Sequence, residues 1–336
     1  MKKFIAIILS LVLVLSMTAC GAKEAAPAET QAPEAAGAAT ELKVAIIQQL
    51  DHSSLDEIRE AIKAQLNALA EPTNYTVTIE EYNGQNDTSM LTQIATQVVA
   101  DEPDMIIPIA TLAAQYAVLA AEGTDIPIVY AAISDPEGAG LVGLPNVTGV
   151  SDALNTPFIL DMMLAAQPDV KTVGLLYSTS EINSEAPIAE AKEYLDAKGI
   201  AYIEKTGTTS GEITEAAASL VGRVEAVFTP TDNVVMAAEA SVAELLNAGG
   251  IAHYTGADSF VQSGAFTTCG VNYTELGTKS ADIAFDIMLG GEIGEFVVMD
   301  GGIITVNTDT AAAIGVDYEV FNTMANTVNA VTTVVD

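Results

Sequence analysis

From residue 42 onward, short runs rich in Val, Ile and Thr alternate with longer stretches whose apolar residues return every three or four positions. A strand, a helix and a further strand in that order bring the second strand back parallel to the first, so the pattern dictates βαβ units and parallel sheets. The first unit shows the logic. A strand is expected over 42–48, followed by Ser54 and Glu57 at capping-box spacing. Leu55, Ile58, Ile62, Leu66 and Leu69 then share one helix face, which has to be buried. Strands over 75–79, 105–109 and 127–132, with helices over 88–100 and 111–121, complete a first lobe that closes near Val150.

A second series follows, with helices over 156–166, 184–198, 211–222 and 234–248 and strands over 172–176, 201–204, 226–229 and 251–254. Residues 265–271 and 303–306 read as strands, and 276–289 as a helix ended by Gly290-Gly291. This last part is too small for a third domain and is expected to complete both lobes. The first lobe is then 42–154 with 265–290, and the second 155–264 with 291–336. Two Rossmann-like lobes joined by several crossover strands bind ligands where the carboxyl ends of their strands face each other, which places a cleft between them.

Composition narrows the function. The chain has 336 residues, half of them hydrophobic and 17% charged, enough apolar material for two cores. Twelve Lys and Arg against 45 Asp and Glu give a net charge of −33, which disfavours nucleic acids and anionic surfaces as partners. Without Trp, and with two His and two Cys, there is no material for a zinc module or a disulfide scaffold. No metal or cofactor is expected.

The start of the chain reads as an export signal over 1–19: Lys2 and Lys3, then an apolar run shorter than a membrane span. Leu15-Ser16-Met17-Thr18-Ala19-Cys20-Gly21 resembles a bacterial lipobox, with Met17 where Leu is more usual. The resemblance implies a lipidated Cys20, hence an extracytoplasmic protein anchored to the cell membrane. Residues 20–41 are Ala-rich, lack periodicity and read as the anchor and a tether.

Separated stretches in the folded part resemble a known family. They are Asp135-Pro136-Glu137-Gly138-Ala139-Gly140-Leu141-Val142, Asn146-Val147-Thr148-Gly149-Val150-Ser151-Asp152, Ser180-Glu181-Ile182-Asn183-Ser184 and Pro230-Thr231-Asp232-Asn233. The family is the ABC-transporter substrate-binding proteins of the tryptophan/tyrosine-binding type, built on the type I periplasmic-binding-protein architecture. The resemblance spans nearly all of 42–316. It implies an extracytoplasmic receptor that hands a small solute to a permease with a cytoplasmic ATPase, in a family whose members with known ligands bind aromatic amino acids; a monomer that is not an enzyme and takes Trp, Tyr or Phe is expected.

Residues at strand ends are the candidate ligand contacts. Thr111 opens a helix after a strand, as Asn183 and Ser184 do in the second lobe, and helix N-termini receive carboxylates. Ordinary capping explains the same residues. Asp232 and Asp258 follow second-lobe strands and could hold an ammonium group; Asn233 caps beside Asp232. Gln48 and His52 follow the first strand, where the family resemblance also places a Gln and a His. Tyr130 and Tyr177 could stack on a ring or fill core, and Asp135 shapes the turn before Pro136 or faces the ligand. His253, within an apolar strand, reads as core.

Gly138 to Gly143 fit G-x-G-x-x-G, but Pro136 and Pro145 bracket them, so a loop is expected rather than a dinucleotide site. Cys269 lies in an apolar segment and reads as a buried thiol. A nucleoside, sugar or signalling ligand would suit the same fold, and a surface hydrolase is the remaining alternative.

Overall fold

The computed structural model describes residues 39–334, so the expected export signal and Cys20 lie outside the described residues. The first series comprises β1 (Thr40–Gln48), α1 (Ser53–Ala70), β2 (Tyr75–Asn83), α2 (Thr88–Ala100), β3 (Met105–Ile109), α3 (Thr111–Ala120), β4 (Ile128–Ala131) and β5 (Val147–Ser151). The second comprises α4 (Thr156–Ala166), β6 (Thr172–Ser178), α5 (Glu185–Lys198), β7 (Ala201–Gly207), α6 (Ser210–Ala218) and β8 (Ala226–Thr229). It continues with α7 (Asn233–Met236), α8 (Glu239–Ala248), β9 (Ala252–Thr255), α9 (Asp258–Gln262) and β10 (Thr267–Gly270). The rest is α10 (Tyr273–Met288), β11 (Val297–Val298), β12 (Ile303–Asn307), α11 (Thr308–Ile314) and β13 (Thr327–Val331).

Six strands form one sheet in the order β11-β5-β4-β3-β1-β2, and seven form the other, β13-β12-β10-β9-β8-β6-β7. All neighbours run parallel except β10 and β12. The chain passes between the lobes after β5, between β10 and α10, and between β11 and β12. The two-lobed α/β architecture expected from the sequence is therefore the one observed. Two segments lie elsewhere than expected. Residues 265–270 supply β10 to the second sheet, while α10 packs on α1 of the first lobe; and β11, within the stretch assigned to the second lobe, pairs with β5. A two-residue strand has too little pattern to be seen in a sequence.

Interior strands bury both faces, as parallel sheets covered by helices must. On β1, Leu42, Val44 and Ile46 join the core under α1 and α10, while Ala45 and Ile47 join the core on the opposite side. On α1, Leu55, Ile58, Ile62 and Leu66 are buried, each contributing roughly 1.5–3 kcal/mol, and Leu69 packs at the margin. The helix expected over 234–248 is two, α7 and α8, broken at Ala237 and Ala238.

Two glycines set close approaches near the strand tips. A Cβ on Gly149 would collide with the Tyr130 ring, and one on Gly256, just past β9, would lie 2.6 Å from the Thr231 amide. Substitution at Gly256 would push apart the β8 and β9 tips that meet the other lobe.

Candidate functional site

The strand tips of the two lobes are in direct contact. Gln49, just past β1, donates through Nε2 to Glu181 Oε1 at 2.8 Å, and its Oε1 accepts from the Leu112 amide in the first turn of α3 at 3.0 Å. Asn233 at the start of α7 donates to Glu181 Oε2 at 2.7 Å and faces His52 Nε2 with its Oδ1 at 3.1 Å. Ser134, past β4, meets Thr231, past β8, at 2.8 Å between hydroxyls. These contacts hold the lobes closed.

Between the tips lies a cavity walled by both lobes. Its atom-free space is about 380 Å³, of which only about 30 Å³ admits the centre of a water molecule. A larger guest has to enter with the lobes apart and hold them wider than they stand here.

Four buried polar atoms on this wall have no hydrogen-bond partner: His52 Nδ1, Ser54 Oγ, Asn183 Oδ1 and Ser259 Oγ. Buried polar groups are nearly always satisfied, so two orphans from each lobe around one cavity mark a place for polar atoms of a guest. Their chemistry can be assigned. The Asn233 amide nitrogen is committed to Glu181, so its oxygen accepts from His52 Nε2–H, which leaves Nδ1 of a neutral imidazole as a bare acceptor. Burial lowers the His52 pKa, in keeping with the neutral ring. Asn183 donates through Nδ2 to the Thr231 carbonyl at 2.8 Å, so its free Oδ1 is a second acceptor.

Donors converge on the same wall. Helices α1, α3 and the short α9 begin there with no side-chain cap at the N-cap position, although Gln49 takes the Leu112 amide of α3; α5 and α8 are also uncapped, and α2, α4, α6, α7, α10 and α11 each carry a cap. An uncapped helix start offers amide donors and the positive end of the helix dipole to an anionic group. Strain gathers here as well. Ala110 and Ala132, which end β3 and β4 and line the cavity, have φ of 71° and 58°, a region costing a residue with a Cβ about 1–3 kcal/mol.

The strand-end candidates divide sharply. His52, Thr111, Asn183, Asp232 and Asn233 all line the cavity. Asp232, however, is spent on its own lobe: Oδ1 accepts from the Val234 and Val235 amides, and Oδ2 from the Ser178 amide and the Ser184 hydroxyl. Its four lone-pair positions are filled, so it caps α7 and ties β6 to it. Ser184 is thereby committed to Asp232 and, with a 3₁₀ turn at Ile182–Ser184 ahead of α5, does not present an open helix start. Ser54 is no capping-box residue either; α1 begins at Ser53, which puts Ser54 inside the first turn with its hydroxyl toward the cavity.

Four candidates point elsewhere. Gln48 faces α1, donating to Asp56 and accepting from Arg59 at 2.8 Å each, because strand alternation sends it to the opposite side from Gln49. Tyr130 shares the face of Ile128 on β4 and is buried in the core behind the sheet. Asp135 accepts from the Gly138 amide at 2.9 Å and shapes its turn. Asp258 sits in a separate small groove with Glu57, where burial and then that neighbouring charge push its pKa up to about 6. Tyr177 donates to Glu204, and His253 is core, bonded to Glu239 and Thr229. Gly138 to Gly143 form turns, as expected.

Gln49, Ser134, Asp152, Glu181 and Thr231 also stand at the seam or the cavity and were not among the strand-end candidates. Three of them stand within the stretches that carry the family resemblance, which was the available signal. Glu181 is fully buried; desolvation, then the nearby Asp232 charge, push its carboxyl up to about 8, while Asn233 and Gln49 pull it down.

Over residues 43–327 the sequence matches the family model of the ABC transporter substrate binding protein. The chain belongs to that family. A curated relative, the tyrosine-binding protein of Clostridioides difficile strain R20291, is 31% identical over 321 residues, 93% of this chain and 92% of its own. The ABC domain in complex with L-Trp from Streptococcus pneumonia superposes with a TM-score of 0.80 at 28% identity, covering 86% of this chain and all of the other. The ligand-free, open structure of a substrate-binding protein from Clostridium difficile gives 0.65 at 31% identity, covering 87% of this chain and all of the other. The better superposition on the L-Trp complex, despite its lower identity, accords with the closed lobes described here. A myo-inositol-bound solute-binding protein from Bacillus halodurans, at 14% identity and a TM-score of 0.63, shares the fold.

Proposed function

We propose that the protein is the lipid-anchored receptor of an ABC importer and that it binds an amino acid with an aromatic side chain, without transforming it. The observation that carries this reading is the ring of unpartnered polar atoms around the closed cavity. Two bare acceptors, His52 Nδ1 and Asn183 Oδ1, suit an ammonium group; the open start of α1 and the first-turn groups of α3 other than the Leu112 amide, with Thr111, suit a carboxylate. Leu55, Met236 and Phe260 supply apolar wall for a side chain. The tyrosine-binding relative and the L-Trp complex support the aromatic class. Delivery to a permease with a cytoplasmic ATPase follows from the family, and Cys20 provides the anchor outside the cell.

Calorimetric titration of residues 21–336 with a panel of amino acids, nucleosides and sugars tests the ligand class. Binding of Trp, Tyr or Phe with an affinity at least tenfold above the nucleosides and sugars is the expected result. Silence toward all three aromatic amino acids overturns it.

A further inference from the structure

We infer that Asp152, at the crossing from β5 to α4, is the carboxylate that takes the ligand's ammonium group. The inference rests on the amino-acid reading above and adds the residue that gives it charge selectivity. Asp152 lines the cavity and is 6% exposed. Its Oδ1 accepts from Ser134 Oγ at 3.0 Å and its Oδ2 from the Tyr273 hydroxyl at 3.2 Å. A carboxylate offers about four lone-pair positions, so roughly half its capacity is open, and both partners are neutral.

A buried carboxylate is ordinarily matched by a cation. No Lys or Arg stands on the cavity wall, and no ion pair reaches Asp152 among the described residues. An ammonium group would supply the missing charge, and the cavity offers acceptors for its N–H bonds from both lobes: Asp152 and His52 Nδ1 from the first, Asn183 Oδ1 from the second. The other acids are unsuited. Asp232 has no lone pair free, Glu181 is engaged by Gln49 and Asn233 off the cavity wall, and Asp258 lies in a different groove.

The position also links charge to closure. With Ser134 donating to Asp152, the Thr231 hydroxyl of the second lobe donates to Ser134, so a chain of hydroxyls crosses the seam and ends on this carboxylate. Tyr273, on the other side, begins the helix that follows the second crossing. The ammonium would therefore bind where two of the connecting segments meet.

Titration calorimetry of wild type and D152N with tyrosine, its deaminated acid 3-(4-hydroxyphenyl)propionate and its decarboxylated amine tyramine tests the inference; tryptophan with its two analogues serves if the wild type prefers it. Tyrosine and tyramine are expected to bind D152N about 100-fold more weakly, about 2.8 kcal/mol, while the deaminated acid changes by less than threefold. Equal losses for all three ligands, or no loss, overturn it. Melting without ligand shows whether D152N is folded. If it is not, the crystal structure of wild type with the amino acid decides: the ligand nitrogen within hydrogen-bond distance of an Asp152 oxygen supports the inference, and any other carboxylate, or none, overturns it. Wild type that binds no aromatic amino acid removes the ligand reading and this inference together; binding with unchanged preference in D152N removes this inference alone.

Discussion

The strand tips that meet across the cleft are finished to different degrees in the two lobes. On the second-lobe side, Asp232 gathers four donors, caps α7 and fastens β6 to it, and Glu181 and Asn233 are hydrogen-bonded. On the first-lobe side, α1 and α3 start uncapped and β3 and β4 end in strained alanines. Around Asp232 the second lobe is thus self-sufficient, although Asn183 Oδ1 and Ser259 Oγ stay open beside it, while the first lobe holds strain as well as open groups at its tip. A receptor that closes on a guest gains from this arrangement, because the Asp232 network is complete without the guest and both walls still have bonds to make.

Removing the self-sufficient side should have the largest effect. Asp232→Ala deletes a cap and strands buried donors, and is expected to lower unfolding stability by about 3 kcal/mol, read by urea denaturation without ligand. A loss below about 1 kcal/mol would mean that the second-lobe tip does not depend on its capping carboxylate.

The seam itself should respond next. Gln49→Ala leaves Glu181 Oε1 and the Leu112 amide without their partner, and is expected to disfavour the closed form by about 1–2 kcal/mol. Small-angle scattering of the unliganded protein should then show a larger radius of gyration; an unchanged radius would show that other contacts hold the lobes.

Proton binding should shift the folding equilibrium. Glu181 titrates near 8 in the closed protein and Asp258 near 6, both above ordinary carboxylates. The folded, closed state therefore binds more protons than the unfolded chain between about pH 4 and 8. Stability from these groups is full below that range and declines as pH rises through the folded values. Glu181→Gln should flatten the upper part of the decline, and a variant whose stability changes with pH as wild type's does would refute the assignment.

The smallest effect is expected at the strained alanines. Ala110→Gly relieves a positive φ at a cleft position and should raise stability by up to about 1 kcal/mol, against the entropy lost by glycine. A clear loss of stability would show that the methyl group's packing outweighs the strain.

The candidate site shows where local reading stops. Gln48 and Gln49 differ by one position, yet alternation sends the first to Arg59 and the second across the seam. Asp232 and Asp152 both follow strands and both border the cavity; only the donors around each reveal that one is saturated and the other half free. Tyr130 was ambiguous until Gly149 and the core behind β4 fixed its face. His52, Thr111, Asn183 and Asn233, in contrast, were found from their places at strand ends and helix starts, since in parallel α/β folds those positions face the cleft.

Periodicity and composition alone determined two parallel-sheet lobes with a cleft between them, because the apolar faces of strands and helices are written within a few residues of chain. Which polar atoms are spent and which stay open was decided only by the folded structure. Gln49 and Glu181 lie 132 positions apart, and Asp152 and Tyr273 lie 121 apart. Hydrogen-bond satisfaction depends on neighbours brought together by packing, and no local pattern in the chain encodes such a meeting.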